Sequence, residues 1–105
     1  PIRHAFHGIN IKLMKCGSLE EGKKMIDIAR ENGLKVMLGC MVETSVGITN
    51  ASHLAGEVDF VDLDGNLLIK NDPYSGVLVN NGRLVLQKGN GSGVKLNSDY
   101  RNILE

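Results

Sequence analysis

The fold follows from a stretch at residues 9–17 that reads Ile-Asn-Ile-Lys-Leu-Met-Lys-Cys-Gly. Every second residue, Ile9, Ile11 and Leu13, is aliphatic, as expected for a β-strand with one face in a core. Lys12 lies on the opposite face of this predicted strand. A charged side chain in a strand that is covered on both faces is costly unless it has a partner or a function. Lys12 is therefore the first residue that needs an explanation.

Outward from this stretch, strands alternate with helices. The predicted elements are a strand at 9–14, a helix at 18–32, a strand at 34–40, a helix at 46–55 and a strand at 58–63. Ser18 and Glu21 have capping-box spacing at the first helix, and Asn32-Gly33 ends it. Such alternation produces right-handed βαβ units and a parallel sheet, so the three strands end at one edge. α/β folds bind their ligands at that edge.

Two carboxylates stand at the end of the third strand. Asp62 and Asp64 share a face, about 7 Å apart at their Cα atoms. They can straddle a metal ion or the ammonium group of a substrate, or they can cap the turn before Gly65. Lys12 can be a general base if burial lowers its pKa, or it can pair with a carboxylate of a neighbouring strand. Glu43 can hydrogen-bond a substrate or stabilise the N-terminus of the helix that follows it. The pattern alone leaves the alternatives for Lys12 and Glu43 open, favours the turn cap for the Asp pair, and treats Asp59 and Asp72 as ordinary loop acids.

The sequence after Gly65 no longer shows the alternation of strands and helices. It predicts a hairpin over 76–86 with a turn at Asn81-Gly82, a glycine-rich loop at 89–93 and a turn of helix at 99–104. The expected division is a barrel part at 1–66 and a hairpin and tail at 67–105.

Composition argues against several classes of partner. The 105 residues carry 12 Lys and Arg against 12 Asp and Glu, with a net charge of zero. Such a chain has no electrostatic footprint for nucleic acid or an anionic membrane. No apolar run approaches the roughly 20 residues of a membrane span, so a cytoplasmic protein is expected. Cys16 and Cys40 are expected to be reduced, and His4 and His7 lack a third metal ligand.

Three stretches together resemble a known family. They are residues 10–17 of the opening stretch, Gly-Leu-Lys-Val-Met-Leu-Gly-Cys-Met-Val-Glu-Thr-Ser-Val-Gly-Ile at 33–48, and Val-Asp-Leu-Asp-Gly at 61–65. They resemble the last three barrel strands of the enolase superfamily and, within its muconate-lactonizing subgroup, are most similar to dipeptide epimerases. The resemblance implies an α/β fold, the C-terminal part of a modified TIM (β/α) barrel. It also implies a hairpin and tail that return toward an α+β capping domain.

The resemblance implies roles for individual residues. Lys12 matches the second of two lysines that exchange the α-proton of a dipeptide from opposite faces. Asp62 and Asp64 match an Asp-x-Asp pair that binds the ammonium group of the dipeptide. Cys40 falls where the family contacts substrate through the backbone. Glu43 matches a recurrent glutamate of the seventh strand and is a further candidate for substrate binding.

The resemblance also implies a cofactor and partners. Mg²⁺ holds a substrate carboxylate in this family and stabilises the enolate that forms when the α-proton is removed. Its ligands and the opposite lysine belong to earlier strands, so no metal ligand is expected in this chain. A small dipeptide is the expected substrate and a homo-oligomer the expected full-length assembly. The chain reads as a piece of a longer enzyme and is expected to be inactive alone.

Two alternatives stay open. A sibling cycloisomerase or o-succinylbenzoate synthase on the same scaffold predicts that the Asp pair does not face the site. A non-catalytic module predicts that Lys12 and the aspartates form a structural ion-pair network.

The sequence departs from the family pattern in two places. Ser18 stands where a second glycine is usual. The stretch between Glu43 and Asp62 is short, which predicts a short second helix.

Overall fold

The structure, a computed structural model, describes residues 4–103. The strands in this range are β1 Gly8–Lys12, β2 Lys35–Gly39, β3 Phe60–Val61, β4 Tyr74–Ser75, β5 Leu78–Asn80, β6 Arg83–Val85 and β7 Lys95–Leu96. The α-helices are α1 Leu13–Cys16, α2 Leu19–Glu31 and α3 Ser45–Ser52, with 3₁₀ turns at Ala55–Glu57, Gly65–Leu68 and Ser98–Ile103. Strands β1, β2 and β3 form a parallel sheet in that order, which confirms the predicted α/β class.

Strand β1 begins one residue earlier and ends two residues earlier than predicted. Its pairing with β2 ends where Lys12 lies opposite Gly39. The chain then turns into α1, which ends at Gly17 with a left-handed φ of 98°. Leu13 therefore belongs to a helical turn, although it still packs against the core. The alternation of apolar residues could not predict the end of the strand at Lys12. The side chain of the first residue in the helical turn, Leu13, still points toward the core, as it would in a longer strand.

Helix α2 follows its predicted caps closely. Ser18 Oγ accepts a hydrogen bond from the Glu21 backbone N–H at 3.1 Å. The Glu21 carboxylate instead contacts Lys24 Nζ at 2.8 Å, so only half of the capping box forms. The helix ends before Gly33, whose φ of 70° suits a residue without a Cβ. Neither α2 nor another helix in the described range is long and apolar enough to cross a membrane.

Helix α3 is short, as the spacing predicted, and its eight residues are two fewer than the predicted range contains. It runs from Ser45 to Ser52 rather than from residue 46 to 55. Thr44 is the N-cap residue, yet its side chain makes no capping bond. Asp72 Oδ2 accepts the Ser45 N–H at 2.7 Å instead. The interpretation of Asp72 as an ordinary loop acid was therefore wrong, since a carboxylate distant in sequence satisfies this helix terminus.

Strand β3 is also shorter than the predicted 58–63. Ladder pairing with β2 covers Phe60 and Val61. Directly after the strand, the Asp62 N–H donates a hydrogen bond to the Leu38 carbonyl oxygen of β2 at 2.9 Å. Leu63, 4 % exposed, then turns into the core. The Asp pair consequently lies on the turn that leaves the sheet.

The core fills the layer between one face of the sheet and the two longer helices. It contains Ile11, Val36 and Leu38 from the strands, Ile26 and Ala29 from α2, Ile48 and Ala51 from α3, and Leu34, Leu54, Leu63 and Val77 from the connections. Burial of one such aliphatic side chain contributes about 1.5 to 3 kcal/mol. This single layer explains the alternation along β1, because Ile11 is 1 % exposed while its neighbours face away.

The tail forms the predicted hairpin and one pairing that was not predicted. β5 and β6 are joined at Asn81 and Gly82, whose φ values of 49° and 73° are those of a type I′ turn. β4 pairs with β7 across the nineteen residues 76–94 of loop and hairpin. The Val77 N–H donates to Thr49 Oγ1 at 2.9 Å, which fastens the tail to α3. The predicted helical turn at 99–104 is a 3₁₀ turn, and Leu104 lies outside the described residues.

Candidate functional site

The residues singled out by the sequence meet at the carboxyl edge of the sheet. Lys12 ends β1, Cys40 follows β2, and Asp62 and Asp64 follow β3. All four line one cavity of about 270 Å³, together with Met41, Val42, Gly65 and Leu68. Glu43 is not among the residues that line this cavity.

Lys12 projects from the face of β1 that is opposite to the core. Its neighbour Ile11 is 1 % exposed in the core, whereas Lys12 is partly exposed and lines the cavity. Its ammonium group lies 3.8 Å from Met41 Sδ. Within residues 4–103, Lys12 makes no salt bridge. Its positive charge is therefore available to a ligand of this cavity.

The Asp pair faces the same cavity from the other side. Asp62 and Asp64 are exposed, while Leu63 between them is buried, so the two carboxylates lie on one side of the chain. Cys40 Sγ lies 3.9 Å from Asp64 Oδ1. No cation of the described chain forms a salt bridge with either carboxylate. A structural ion-pair network between Lys12 and the aspartates, which the non-catalytic alternative requires, is thus not what the described residues form.

Glu43 takes a different direction. A Cβ atom built at Gly47 would collide with the Glu43 carboxylate, so this side chain lies over the first turn of α3. A carboxylate near a helix N-terminus interacts favourably with the helix dipole. Of the two roles that the sequence left open for Glu43, the observed position suits the stabilisation of α3.

A second and larger cavity borders the Asp pair on its outer side. Its volume is about 550 Å³, and the hairpin residues Val79, Arg83 and Leu84 form its far wall. Asp62 and Asp64 line both cavities. The smaller cavity is the better candidate for chemistry, because it alone of the two brings the lysine and the carboxylates together.

Four further residues of the cavity were not predicted from the sequence, and two of them, Met41 and Gly65, adjoin predicted site residues. Met41 approaches the Lys12 ammonium group, and Gly65 supports the turn behind Asp64. Each directly follows a residue that was predicted for the site. The available signal was the rule that ligands bind beyond the carboxyl ends of parallel strands, which applies to the residue after Cys40 as much as to Cys40 itself.

The opposite edge of the sheet has a different electrostatic character. Asp59 accepts hydrogen bonds from the Val36 N–H at 2.9 Å, from Lys35 Nζ at 3.0 Å and from Arg30 at 2.5 Å. The Val36 N–H bond, then Lys35 and Arg30, lower the pKa of Asp59 from 3.8 to about 2. The interpretation of Asp59 as an ordinary loop acid was wrong, because its partners are distant in sequence.

The histidines and cysteines add no metal centre to this arrangement. Among residues 4–103, no group of three or more His, Cys, Asp or Glu side chains is arranged to hold a metal ion. His53 caps α3 and its Nε2 lies 3.0 Å from the Ser92 carbonyl oxygen. Cys16 and Cys40 are both free thiols, as expected.

Comparison with known proteins agrees with this geometry. The sequence profile described as "Enolase C-terminal domain-like" matches residues 3–100. The chain belongs to this family. Its parallel strands and covering helices are accordingly part of the barrel domain of the enolase superfamily.

Individual relatives within the superfamily are epimerases. The chain is 53 % identical over 93 residues to an L-Ala-D/L-Glu epimerase of Bacteroides thetaiotaomicron, covering 89 % of this chain and 24 % of the relative. It is 47 % identical over 91 residues to an L-Ala-D/L-amino acid epimerase of Flavobacterium johnsoniae, covering 87 % of this chain and 27 % of the relative. The chain thus spans about a quarter of the length of the curated relatives that it matches.

A solved structure shows the same local architecture. The crystal structure of a dipeptide epimerase from Methylococcus capsulatus, complexed with Mg ion, superposes with a TM-score of 0.82 at 34 % identity. The match covers 89 % of this chain and 28 % of that chain.

Proposed function

We propose that this chain is the C-terminal part of a dipeptide epimerase, which inverts the configuration of an amino acid residue by moving the proton of its α-carbon. The observation that carries the proposal is the shared cavity of Lys12 and the Asp pair, in which neither charge is neutralised by the described chain. The names of the related epimerases support the same reaction class.

In this proposal Lys12 is the proton carrier for one face of the substrate. An amine removes a proton in its neutral form and returns one as an ammonium group, so the same side chain can serve both directions of an epimerisation. A second base is required on the opposite face of the α-carbon. Its place is in the part of the enzyme that precedes these residues.

The Asp pair would bind the free ammonium group of the dipeptide. Carboxylates on residues i and i+2 of an extended segment are spaced to contact one cation from two sides. Cys40 and its neighbours would contact the substrate between this pair and Lys12. Glu43 would act indirectly, through the helix that follows it.

The described residues do not themselves fit a site for Mg²⁺, since they hold no suitable group of carboxylates. A solved relative is a complex with Mg ion, and we propose that the corresponding ligands of this enzyme lie outside the present residues. A bound Mg²⁺ supplies charge stabilisation to an enolate. The contribution of this chain is the proton transfer by Lys12 and the orientation of the substrate by the Asp pair.

The proposal includes an organisation for the full-length protein. Residues 1–66 would complete the barrel, and residues 67–105 would form the hairpin and tail against a capping domain. The piece alone would be inactive, because one base and the metal ligands are elsewhere. The expectations of a cytoplasmic enzyme and of a homo-oligomer belong to the same proposal.

A direct assay tests the reaction. The full-length protein is incubated with L-Ala-D-Glu and with L-Ala-L-Glu, and chiral chromatography follows the appearance of the other diastereomer. The matched control substrates are the N-acetylated dipeptides, which lack the ammonium charge. We expect the free dipeptides to be converted at least about tenfold more efficiently, the size of a lost charge-assisted contact. Equal conversion of both substrate sets would remove the role of the Asp pair and favour a sibling enzyme of the superfamily.

A further inference from the structure

The turn after Asp64 is packed against the loop after β2 without room for a side chain. Gly65 is buried, and a Cβ atom built there would collide with the Met41 backbone oxygen and lie 3.2 Å from Cys40 Sγ. A backbone oxygen cannot rotate away as the end of a flexible side chain can. A residue larger than glycine at this position would therefore displace one of the two segments.

The next residue makes a second contact between the same segments. Asn66 Nδ2 donates a hydrogen bond to Ser45 Oγ at 3.2 Å. Ser45 is 6 % exposed, and its own N–H donates to Asp72 Oδ2 at 2.7 Å. Asn66 is thus joined to the first turn of α3, which is in turn fixed by the tail.

These contacts matter because the sheet holds Asp62, whose N–H donates to the Leu38 carbonyl oxygen, but does not hold Asp64. Ladder pairing of β3 ends at Val61, and Asp64 lies three residues beyond it. The Asp64 carboxylate nevertheless lies 3.9 Å from Cys40 Sγ, in the cavity that Lys12 also lines. Contacts of the turn with residues 40–45 must therefore determine where this carboxylate lies.

We propose that Gly65 and Asn66, together called the Gly65–Asn66 latch, are positioning residues for recognition of the substrate ammonium group. They hold Asp64 against residues 40–45 and so set the width of the cavity between its carboxylate and Lys12. This inference rests on the proposed function and assigns the latch to its substrate-binding step, because the latch directly follows Asp64 on the same turn.

The first test substitutes Gly65→Ala in the full-length protein, with Gly56→Ala as the matched control. A Cβ atom at Gly56 would meet nothing within 4 Å, and this glycine also lies in a 3₁₀ turn. We expect Gly65→Ala to raise KM for the dipeptide about tenfold while kcat changes less than about threefold, and Gly56→Ala to change neither. A merely structural role would lower the amount of active enzyme and leave KM unchanged, and an unchanged KM would overturn the proposal.

A second set of variants keeps the proposal testable if Gly65→Ala does not fold. Asn66→Ala, Ser45→Ala and the double variant form a cycle around the hydrogen bond. We expect each single variant to raise KM about threefold and the double variant to raise it no further, because each change breaks the same bond. Effects that multiply in the double variant, or no effect on KM, would contradict the latch.

The proposed function and the role of the latch can be disproved independently of each other. If the unmodified full-length protein converts no dipeptide, the proposed function fails, and the latch is then judged by crystal structures of the parent and of Gly65→Ala. The latch predicts that the distance between Asp64 Oδ1 and Cys40 Sγ grows by about 1 Å, a displacement large enough to disturb a binding geometry. An unchanged distance would overturn it.

Discussion

Where the parallel strands begin, Asp59 binds Arg30, Lys35 and a backbone N–H. Where the same strands end, Lys12 and the Asp pair face a shared cavity and form no salt bridge within the described chain. Charges that stabilise a fold are neutralised by protein groups, whereas charges that bind or transform a ligand must stay available to it. We propose that the contrast between the two edges separates structural from functional residues of the same chemical type, and the predictions below test this separation.

The largest expected difference is between two lysines of the sheet. Lys12→Ala should lower the epimerisation rate of the full-length enzyme by about 10²- to 10⁴-fold, the usual contribution of a positioned acid or base. Lys35→Ala is the matched control, because Lys35 lies at the other edge and pairs with Asp59. Its variant should retain kcat and KM. Chiral chromatography measures both rates, and a comparable loss in the two variants would remove the distinction between the edges.

The next difference is between aspartates. Asp62→Asn and Asp64→Asn each remove one charge-assisted contact of about 1.5 to 3 kcal/mol, which corresponds to roughly a ten- to hundredfold loss in kcat/KM. Asp59→Asn should leave kcat/KM of the folded enzyme unchanged. The steady-state kinetics of the free dipeptide decide the matter. If both Asp62→Asn and Asp64→Asn had the same kcat/KM as the parent enzyme, the ammonium-binding role of the Asp pair would be refuted.

Part of this contrast could be predicted from the sequence. The alternation at Ile9, Ile11 and Leu13, together with the cap at Ser18, predicted β1 and α2 and placed Lys12 opposite the core, because these signals are local. The partners of Asp59 and the bond of Asp72 to the Ser45 N–H could not be predicted, since these partners lie more than twenty residues away. The direction of Glu43 toward Gly47 likewise depends on packing of the helix turn, which periodicity does not report.

Asp59, where the parallel strands begin, should make the stability of the protein depend on pH. The folded-state pKa of Asp59 is lowered to about 2 from 3.8, so its stabilisation is complete above 3.8 and is lost as the pH falls toward 2. Asp59→Asn should therefore destabilise the full-length protein at neutral pH. Its stability should also fall less steeply than that of the parent across this interval. Thermal unfolding at stepped pH measures the slopes, with Asp27→Asn, an exposed acid of α2, as the control. Parallel curves for parent and Asp59→Asn would contradict the assignment.

The smallest expected effect concerns the N-cap of α2 and not a charged group of either edge. Ser18→Ala removes the N-cap bond to Glu21 and should cost about 1 kcal/mol of local stability, without a change in catalysis. Hydrogen exchange of the α2 amides should accelerate about fivefold in this variant. Ser18→Asp retains a capping oxygen and should exchange like the parent. Slower catalysis in Ser18→Ala would show that the site is more sensitive to α2 than the two-edge comparison allows.

Hydrogen–deuterium exchange at the substrate α-carbon tests the assignment of Lys12 most directly. The full-length Lys12→Ala variant is incubated in D₂O with each diastereomer of the dipeptide in turn, and proton NMR follows the α-proton. If the parent enzyme has one base on each face of the α-carbon, the Lys12→Ala variant should no longer interconvert the diastereomers. It should still exchange the proton of the one whose α-proton faces the opposite base. Exchange that is lost equally from both diastereomers, or retained equally in both, would contradict the assignment of Lys12 as one of two bases.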